Sequence, residues 1–221
     1  MTSNAAFFRS NLCSVVAGYI KGVILEGIYR EGDHVFETEV AKALGISRAT
    51  IREGIKELEK EGILTIIPRK GTFITRYTAE DIKEIFDIRR LFENDILELL
   101  ISENKLSEKD FTTLEVIVKD MVMIVDSAGD SIKKAIMFND KDMEFHRYIW
   151  EKSGSRRRVE ILERLYFQLK VAMFCDTHET GDLMIKAADH YEIIKCLRSN
   201  NLENCKKTLS NHITIGERRK L

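Results

Sequence analysis

Residues 37–62 read ETEVAKALGISRATIREGIKELEKEG, and this stretch decides the fold of the first half of the chain. Val40, Ala41 and Leu44 recur at helical spacing and stop at Gly45, a residue suited to the left-handed turn that ends a helix. Ile46 bridges a tight turn. Ser47 is placed to cap the next helix, because a serine hydroxyl there accepts a bond from a first-turn backbone N–H. Ile51, Ile55 and Leu58 then form an i, i+4, i+7 stripe that Gly62 terminates. Two helices joined by a short glycine turn make a helix-turn-helix.

On the N-terminal side, residues 11–26 carry Val15, Val16, Tyr19, Ile20, Val23 and Ile24 at helical spacing, a first helix. On the C-terminal side, ILTII (63–67), PRKG (68–71) and TFIT (72–75) read as a β-run, a basic turn and a β-run, which is a hairpin. Beyond it come only helical periodicities, over residues 79–103, 107–126, 131–152, 155–176, 182–199 and 202–219, separated by short polar and glycine-containing breaks. The expected fold is mainly α. A winged helix-turn-helix of three helices and a β-hairpin covers residues 1–77. An all-α bundle of about six helices covers residues 78–221.

Composition bounds the function classes. The chain has 221 residues, 44% hydrophobic and 32% charged, the balance of a folded protein long enough for two domains. No apolar run approaches the roughly 20 residues needed to cross a bilayer, and the N-terminus lacks the pattern of a signal peptide. A cytoplasmic protein without a membrane partner is expected. Cys13, Cys175, Cys196 and Cys205 form no CxxC pair and read as free thiols. Charge is uninformative: ten Lys and Arg face nine Asp and Glu in residues 1–75, so any basic surface must be local.

The helix over residues 47–61 has the two faces that DNA reading needs. Its apolar stripe holds it to the domain, while Arg48, Arg52 and Lys56 lie off the stripe. Arginine's fork matches guanine O6 and N7, and it also pairs with phosphate. Thr50 is placed to touch a base methyl group or a phosphate. Arg69, Lys70 and Gly71 put two cations and a pliable backbone at the hairpin tip, suited to a phosphate or minor-groove contact. A charged helix face by itself is usually only solvated. The order helix, glycine turn, helix, hairpin, with cations at both the helix start and the wing tip, points to operator DNA.

The stretch from Gly32 to Gly62, continuing through Ile66-Ile67-Pro68-Arg69-Lys70-Gly71-Thr72-Phe73, resembles the GntR family of transcription regulators. The resemblance implies that Arg48, Thr50, Arg52 and Gly71 occupy DNA-contact positions. Departures are Glu31 for a usual proline and Phe36 where a polar cap is common. Thr38 stands at a position that is often arginine. Gly54 replaces alanine, at about 1 kcal/mol of helix propensity.

The second half holds more specific chemistry. Asp142 and His146 are four apart and share a helix face with Ala135, Phe138, Phe145, Ile149 and Trp150. His190 shares a face with Ala187, Ile193, Ile194 and Leu197, and His212 with Leu202, Cys205, Leu209 and Ile213. The chain has only five histidines, and three of them point inward with an aspartate. Buried imidazole and carboxylate are costly unless paired or bound to metal. The set suits a divalent metal ion, zinc first, with nickel, manganese and iron as alternatives. For any one histidine taken alone, an ordinary core residue bonded to a carbonyl or to Asp142 is the competing reading. Arg89 sits within the stripe of Ile82, Ile85, Phe86, Phe92, Ile96 and Leu100. It needs an anion there: either Glu93, one turn on, or the carboxylate of a bound effector.

This half resembles the FCD-type ligand-binding domain of the FadR branch of that family. The resemblance rests on Arg89 and Glu93 (R-x-x-x-E), Asp142 and His146 (D-x-x-x-H), Ser153-Gly154, and the sequences Ala188-Asp189-His190 and Ser210-Asn211-His212. It implies that Asp142, His146, His190 and His212 bind a divalent metal and that a small carboxylate metabolite completes the site. Ser155-Arg156 replaces the usual Asn-Pro.

The expected function is a ligand-responsive regulator, a repressor by the commoner outcome. It is expected to act as a homodimer with two recognition helices in successive major grooves. The alternatives are a metal-dependent enzyme on a helical bundle, a metal-ion sensor, and a metal-free regulator. No added general base accompanies the ligands, and an enzyme is not expected.

Overall fold

The computed structural model describes residues 2–180 and 183–213, with side chains over residues 12–171 and 183–213. The chain divides into two compact units, Met1–Thr78 and Ala79–Leu221. It is mainly helical, with a small sheet in the first unit.

In the first unit, α1 (Thr2–Leu25) lies against α3 (Arg48–Lys60), with α2 (Glu37–Leu44) packed beside α3. The chain turns out of α2 through Gly45 at φ 65°, a left-handed conformation that glycine adopts without a Cβ penalty. Phe36, at the N-cap of α2, provides no side-chain cap bond. Ser47 does cap α3: its hydroxyl accepts from Thr50 N at 3.3 Å. Ile51, Ile55 and Leu58 bury the inner face of α3 against Val16 and Ile20 of α1.

Gly54 has a packing reason. A Cβ there would lie 2.7 Å from Val16 Cβ, so glycine lets the two helix backbones approach where alanine would collide.

The wing is β2 (Leu64–Ile67) and β3 (Gly71–Ile74), antiparallel, with Leu64 opposite Ile74 and Ile67 opposite Gly71. A third strand, β1 (His34–Val35), pairs with β3 and makes the sheet order β1-β3-β2. The sequence reading missed β1, because two residues cannot display strand alternation. α1 also begins earlier than residue 11.

Among the described residues, the second unit contains six helices: α4 (Ala79–Ser102), α5 (Glu108–Asp126), α6 (Ser131–Lys152), α7 (Arg156–Thr180), α8 (Leu183–Arg198) and α9 (Leu202–His212). Residues 181–182 and 214–219, which the sequence assigns to a turn and helix ends, lie outside the described residues. Ser107 and Asp110 form a reciprocal capping box that starts α5, and Asp130 caps α6 by accepting from Lys133 N at 2.9 Å. Helix α6 runs through the middle of the unit beside α4, α5 and α7. Its buried Phe138, Phe145 and Trp150 are fully covered. α8 packs on α5 and α9, and α9 on α4, so α4, α6, α8 and α9 all border one interior region. Cys13, Cys196 and Cys205 are free thiols; the side chain of Cys175 lies outside those described. Among the described residues, no helix is long and apolar enough to cross a membrane.

Candidate nucleic-acid interface and candidate metal centre

On the first unit, Arg48 and Arg52 project from the outer face of α3, with side chains 59% and 58% exposed. Both meet Glu37, the first residue of α2. Arg52 Nε donates to both carboxylate oxygens, at 3.0 and 2.9 Å, and Arg48 Nη2 lies 3.7 Å from one of them. Lys56, Arg69 and Lys70 are exposed, and no ion pair holds them among the described residues. Arg69 takes a positive φ of 62° at the wing tip, and the residue is exposed.

Gly71, at φ 116°, has a structural duty as well as the DNA contact the resemblance implied. A Cβ there would collide with His34 Nε2, so any other residue would displace the β1 ring from the wing as well as strain the backbone. Thr50 requires a correction. Its side chain is turned inward, 7% exposed, and its hydroxyl sits 3.0 Å from Ser47 Oγ. It closes the cap of α3, a local pairing at i, i+3 that a search for outward-facing polar residues overlooks.

On the second unit, the turns of α6, α8 and α9 bring Asp142, His146, His190 and His212 together. One ligand atom from each lies within 4.8 Å of every other. His146 Nε2 and His212 Nε2 are 3.1 Å apart. His190 Nε2 and His212 Nε2 lie 3.1 and 3.5 Å from Asp142 Oδ1. His146 and His190 are fully buried, and Asp142 is 3% exposed.

The remaining ring nitrogens fix the orientation. His146 Nδ1 bonds Glu93 Oε2 at 2.7 Å, and His190 Nδ1 bonds the Lys186 carbonyl at 2.8 Å. His212 Nδ1 has Asp189 Oδ2 at 3.7 Å, beyond hydrogen-bond length. With protons on the Nδ1 atoms of His146 and His190, their Nε2 lone pairs face inward. His190 Nε2 is buried without a hydrogen bond, its approach to Asp142 being misaligned. Lone pairs converging on a carboxylate and on one another are a donor set that fits a cation, and a divalent metal satisfies it.

Arg89 and Glu93 on α4 complete the cluster. Arg89 Nε donates to Glu93 Oε1 at 2.7 Å, and Nη2 lies 3.5 Å from Asp142 Oδ2. Both partners come from the protein, so the anion that a buried arginine requires is already present. Glu93 thus serves two residues. The sequence signalled its bond to Arg89 through the i, i+4 spacing, whereas its bond to His146, 53 positions away, arises only from packing of α4 on α6.

Burial opposes ionisation of Glu93, yet His146 and Arg89 outweigh it and bring the carboxyl down to about 2. Burial likewise opposes charge on Asp142, and the surrounding histidines hold it well below its ordinary value. Burial, aided by Arg89, lowers His146 to about 4, and burial with His212 lowers His190. Burial works against His212 too, but Asp142 and Asp189 raise it. The two carboxylates are therefore anionic at neutral pH, and His146 and His190 are neutral, the forms that ligate a metal.

Residues 12–74 match the bacterial regulatory proteins of the gntR family, and residues 84–214 match the FCD domain. The chain belongs to the GntR family. Its relatives within that family include an uncharacterized HTH-type transcriptional regulator, YdhC of Bacillus subtilis, 31% identical over 87% of this chain and 84% of the relative. The gluconate operon transcriptional repressor of Bacillus subtilis is 27% identical over 84% of this chain and 80% of the relative. The structure of Escherichia coli McbR/YncC superposes with a TM-score of 0.73 at 17% identity, over 91% of this chain and 93% of that one, which supports the fold alone. This GntR-type protein is a DNA-binding transcription regulator, and its family and relatives are regulators rather than enzymes. Regulators of this family bind operator DNA and typically dimerise.

Proposed function

We propose that this regulator is a repressor whose helical unit binds a divalent metal through Asp142, His146, His190 and His212, and responds to a small carboxylate metabolite bound beside that metal. The reading rests on one observation: imidazole Nε2 atoms and an aspartate oxygen converge in a buried site, while the Nδ1 atoms of His146 and His190 are engaged elsewhere. Zinc fits the nitrogen-rich set first, with nickel, manganese and iron next. On the DNA side, Arg48 and Arg52 read or approach bases, and Lys56, Arg69, Lys70 and the Gly71 backbone meet phosphates or the minor groove.

Charge accounting supports the carboxylate. With all three histidines deprotonated, as metal ligation requires, Arg89 faces the carboxylates of Glu93 and Asp142, which leaves one excess negative charge around the ligand atoms. A divalent ion turns this into one excess positive charge, and a single ligand carboxylate then cancels it. Arg89, already bonded to Glu93 and close to Asp142, would act on that carboxylate through its charge and through any nitrogen it turns toward the ligand. A relative that controls a gluconate operon makes hydroxy-carboxylates the natural first panel.

The regulator acts as a homodimer in the cytoplasm, where its operator lies. Exposed Ile88 and Leu91 on α4 and Ile161 on the adjacent α7 offer apolar surface for a second copy.

The test uses a duplex selected from random DNA by the full-length protein. Its affinity is measured with metal-loaded and chelated protein, with and without each carboxylate. Metal plus one carboxylate should change operator affinity about 5- to 150-fold, the usual range of allosteric coupling. Affinity indifferent to metal and to every carboxylate would remove the sensor reading and leave DNA binding intact.

A further inference from the structure

The cations of the DNA-reading face fall into two groups. Lys56, Arg69 and Lys70 stand exposed with no ion pair among the described residues. Arg52 and Arg48 instead share the carboxylate of Glu37. An anion on a surface that meets phosphates repels them, so its presence calls for a compensating role.

Glu37 is well fixed for one. It opens α2, whose N-cap supplies no side-chain bond, so the positive end of the helix dipole favours a carboxylate there. The Gly45 turn and the packing of α2 on α3 set its distance to Arg52. Its two oxygens accept hydrogen bonds from Arg52 Nε, and Arg48 Nη2 lies 3.7 Å from one of them. Among the described residues, neither Nη nitrogen of Arg52 donates a hydrogen bond. An exposed arginine otherwise samples many rotamers, and its fork matches a phosphate as well as a base edge.

We propose that Glu37 is a positioning residue that sets base specificity: by gripping the Nε edge of Arg52 it aims the two Nη nitrogens at a base edge and withdraws the guanidinium from the DNA backbone. The free cations then carry phosphate affinity, and the held arginine carries sequence information. This division corresponds to the general separation of positioning contacts from base readout. The simpler alternative is that Glu37 only ties α2 to α3, in which case its loss weakens all DNA binding together.

Full-length wild type, Glu37→Gln, Arg52→Ala and the double variant separate the two. The wild type selects its preferred duplex from random DNA. Each protein is then titrated with that duplex, with every single-base variant of it, and with random duplex, over a range of salt. Glu37→Gln should lower discrimination at one base position by about fivefold or more, the lower bound for a lost arginine–guanine fork. It should bind random duplex as tightly as wild type or more tightly. It should have no further effect when Arg52 is already alanine. Arg52→Lys, which keeps the charge but has no fork, should reproduce the loss of discrimination and serves if Glu37→Gln lowers the unfolding midpoint. Unchanged discrimination in these variants, or parallel loss of selected and random binding, overturns the proposal.

Discussion

Glu93 Oε2 lies 2.7 Å from His146 Nδ1, while its other oxygen lies 2.7 Å from Arg89 Nε. Glu93 therefore orients one histidine and neutralises the buried arginine without reaching the centre itself. Replacing such an outer partner usually costs 10- to 100-fold in metal affinity. Glu93→Gln should weaken zinc binding by about that factor in competition with a chromophoric chelator. An unchanged affinity would show that His146 needs no orienting carboxylate. Arg89→Ala strips two buried carboxylates of their cation and should cost about 3–5 kcal/mol of stability in the metal-free protein.

On the DNA side, Arg52→Ala should cost about 1–3 kcal/mol on the selected duplex if Arg52 reads a base. Lys70→Ala at the wing should instead weaken binding to all sequences alike and lower the salt slope by about one. Fluorescence anisotropy at several salt concentrations measures both. Equal and sequence-independent losses would assign both residues to phosphates.

Gly54→Ala sets helix propensity against packing. Alanine gains about 1 kcal/mol in a helix interior, but its Cβ would meet Val16 at 2.7 Å, and overpacking commonly costs about 1–3 kcal/mol. The substitution should lower stability of the first unit, and Val16→Ala in the same chain should recover part of the loss. A Gly54→Ala protein as stable as wild type would mean that α1 gives way freely.

The first unit was legible because caps, glycine stops and apolar stripes agreed. Gly45, Ser47 and the Ile51–Ile55–Leu58 stripe each specify the same turn between α2 and α3. β1 was not, since its two residues gain meaning only by pairing with Phe73 and Thr72. In the second unit, Asp142, His146, His190 and His212 stood out as polar residues on apolar faces. The Glu93–His146 bond and the Glu37–Arg52 pair were invisible, because both depend on how separate helices pack. Thr50 was misjudged because its polarity serves its own helix cap.

Asp110 provides a pH test. It accepts from Ser107 N at 2.8 Å and Tyr148 Oη at 2.7 Å, and pairs with Lys152 Nζ at 2.6 Å, tying the start of α5 to α6. Lys152 first, then Ser107 and Tyr148, hold its carboxyl well below the usual 3.8. A carboxyl depressed in the folded state adds stability above its unfolded value, and that contribution is lost as pH falls. The stability gap between wild type and Asp110→Asn should be full above about pH 5 and shrink as pH drops through about 4. Urea unfolding followed by Trp150, the only tryptophan, reads the second unit directly. A gap constant with pH would contradict the assignment. Ser107→Ala should cost about 1 kcal/mol through loss of the cap.

The most direct test of the metal centre is the content of zinc, nickel, manganese and iron in full-length protein dialysed to equilibrium against each ion, for wild type, Asp142→Ala and His190→Ala. Four ligand residues around one point predict about one tightly held ion per wild-type chain and a loss of most of it in both variants. Variants that retain the wild-type metal content, or a wild type that holds none of the four candidate metals, would contradict a metal centre at Asp142, His146, His190 and His212.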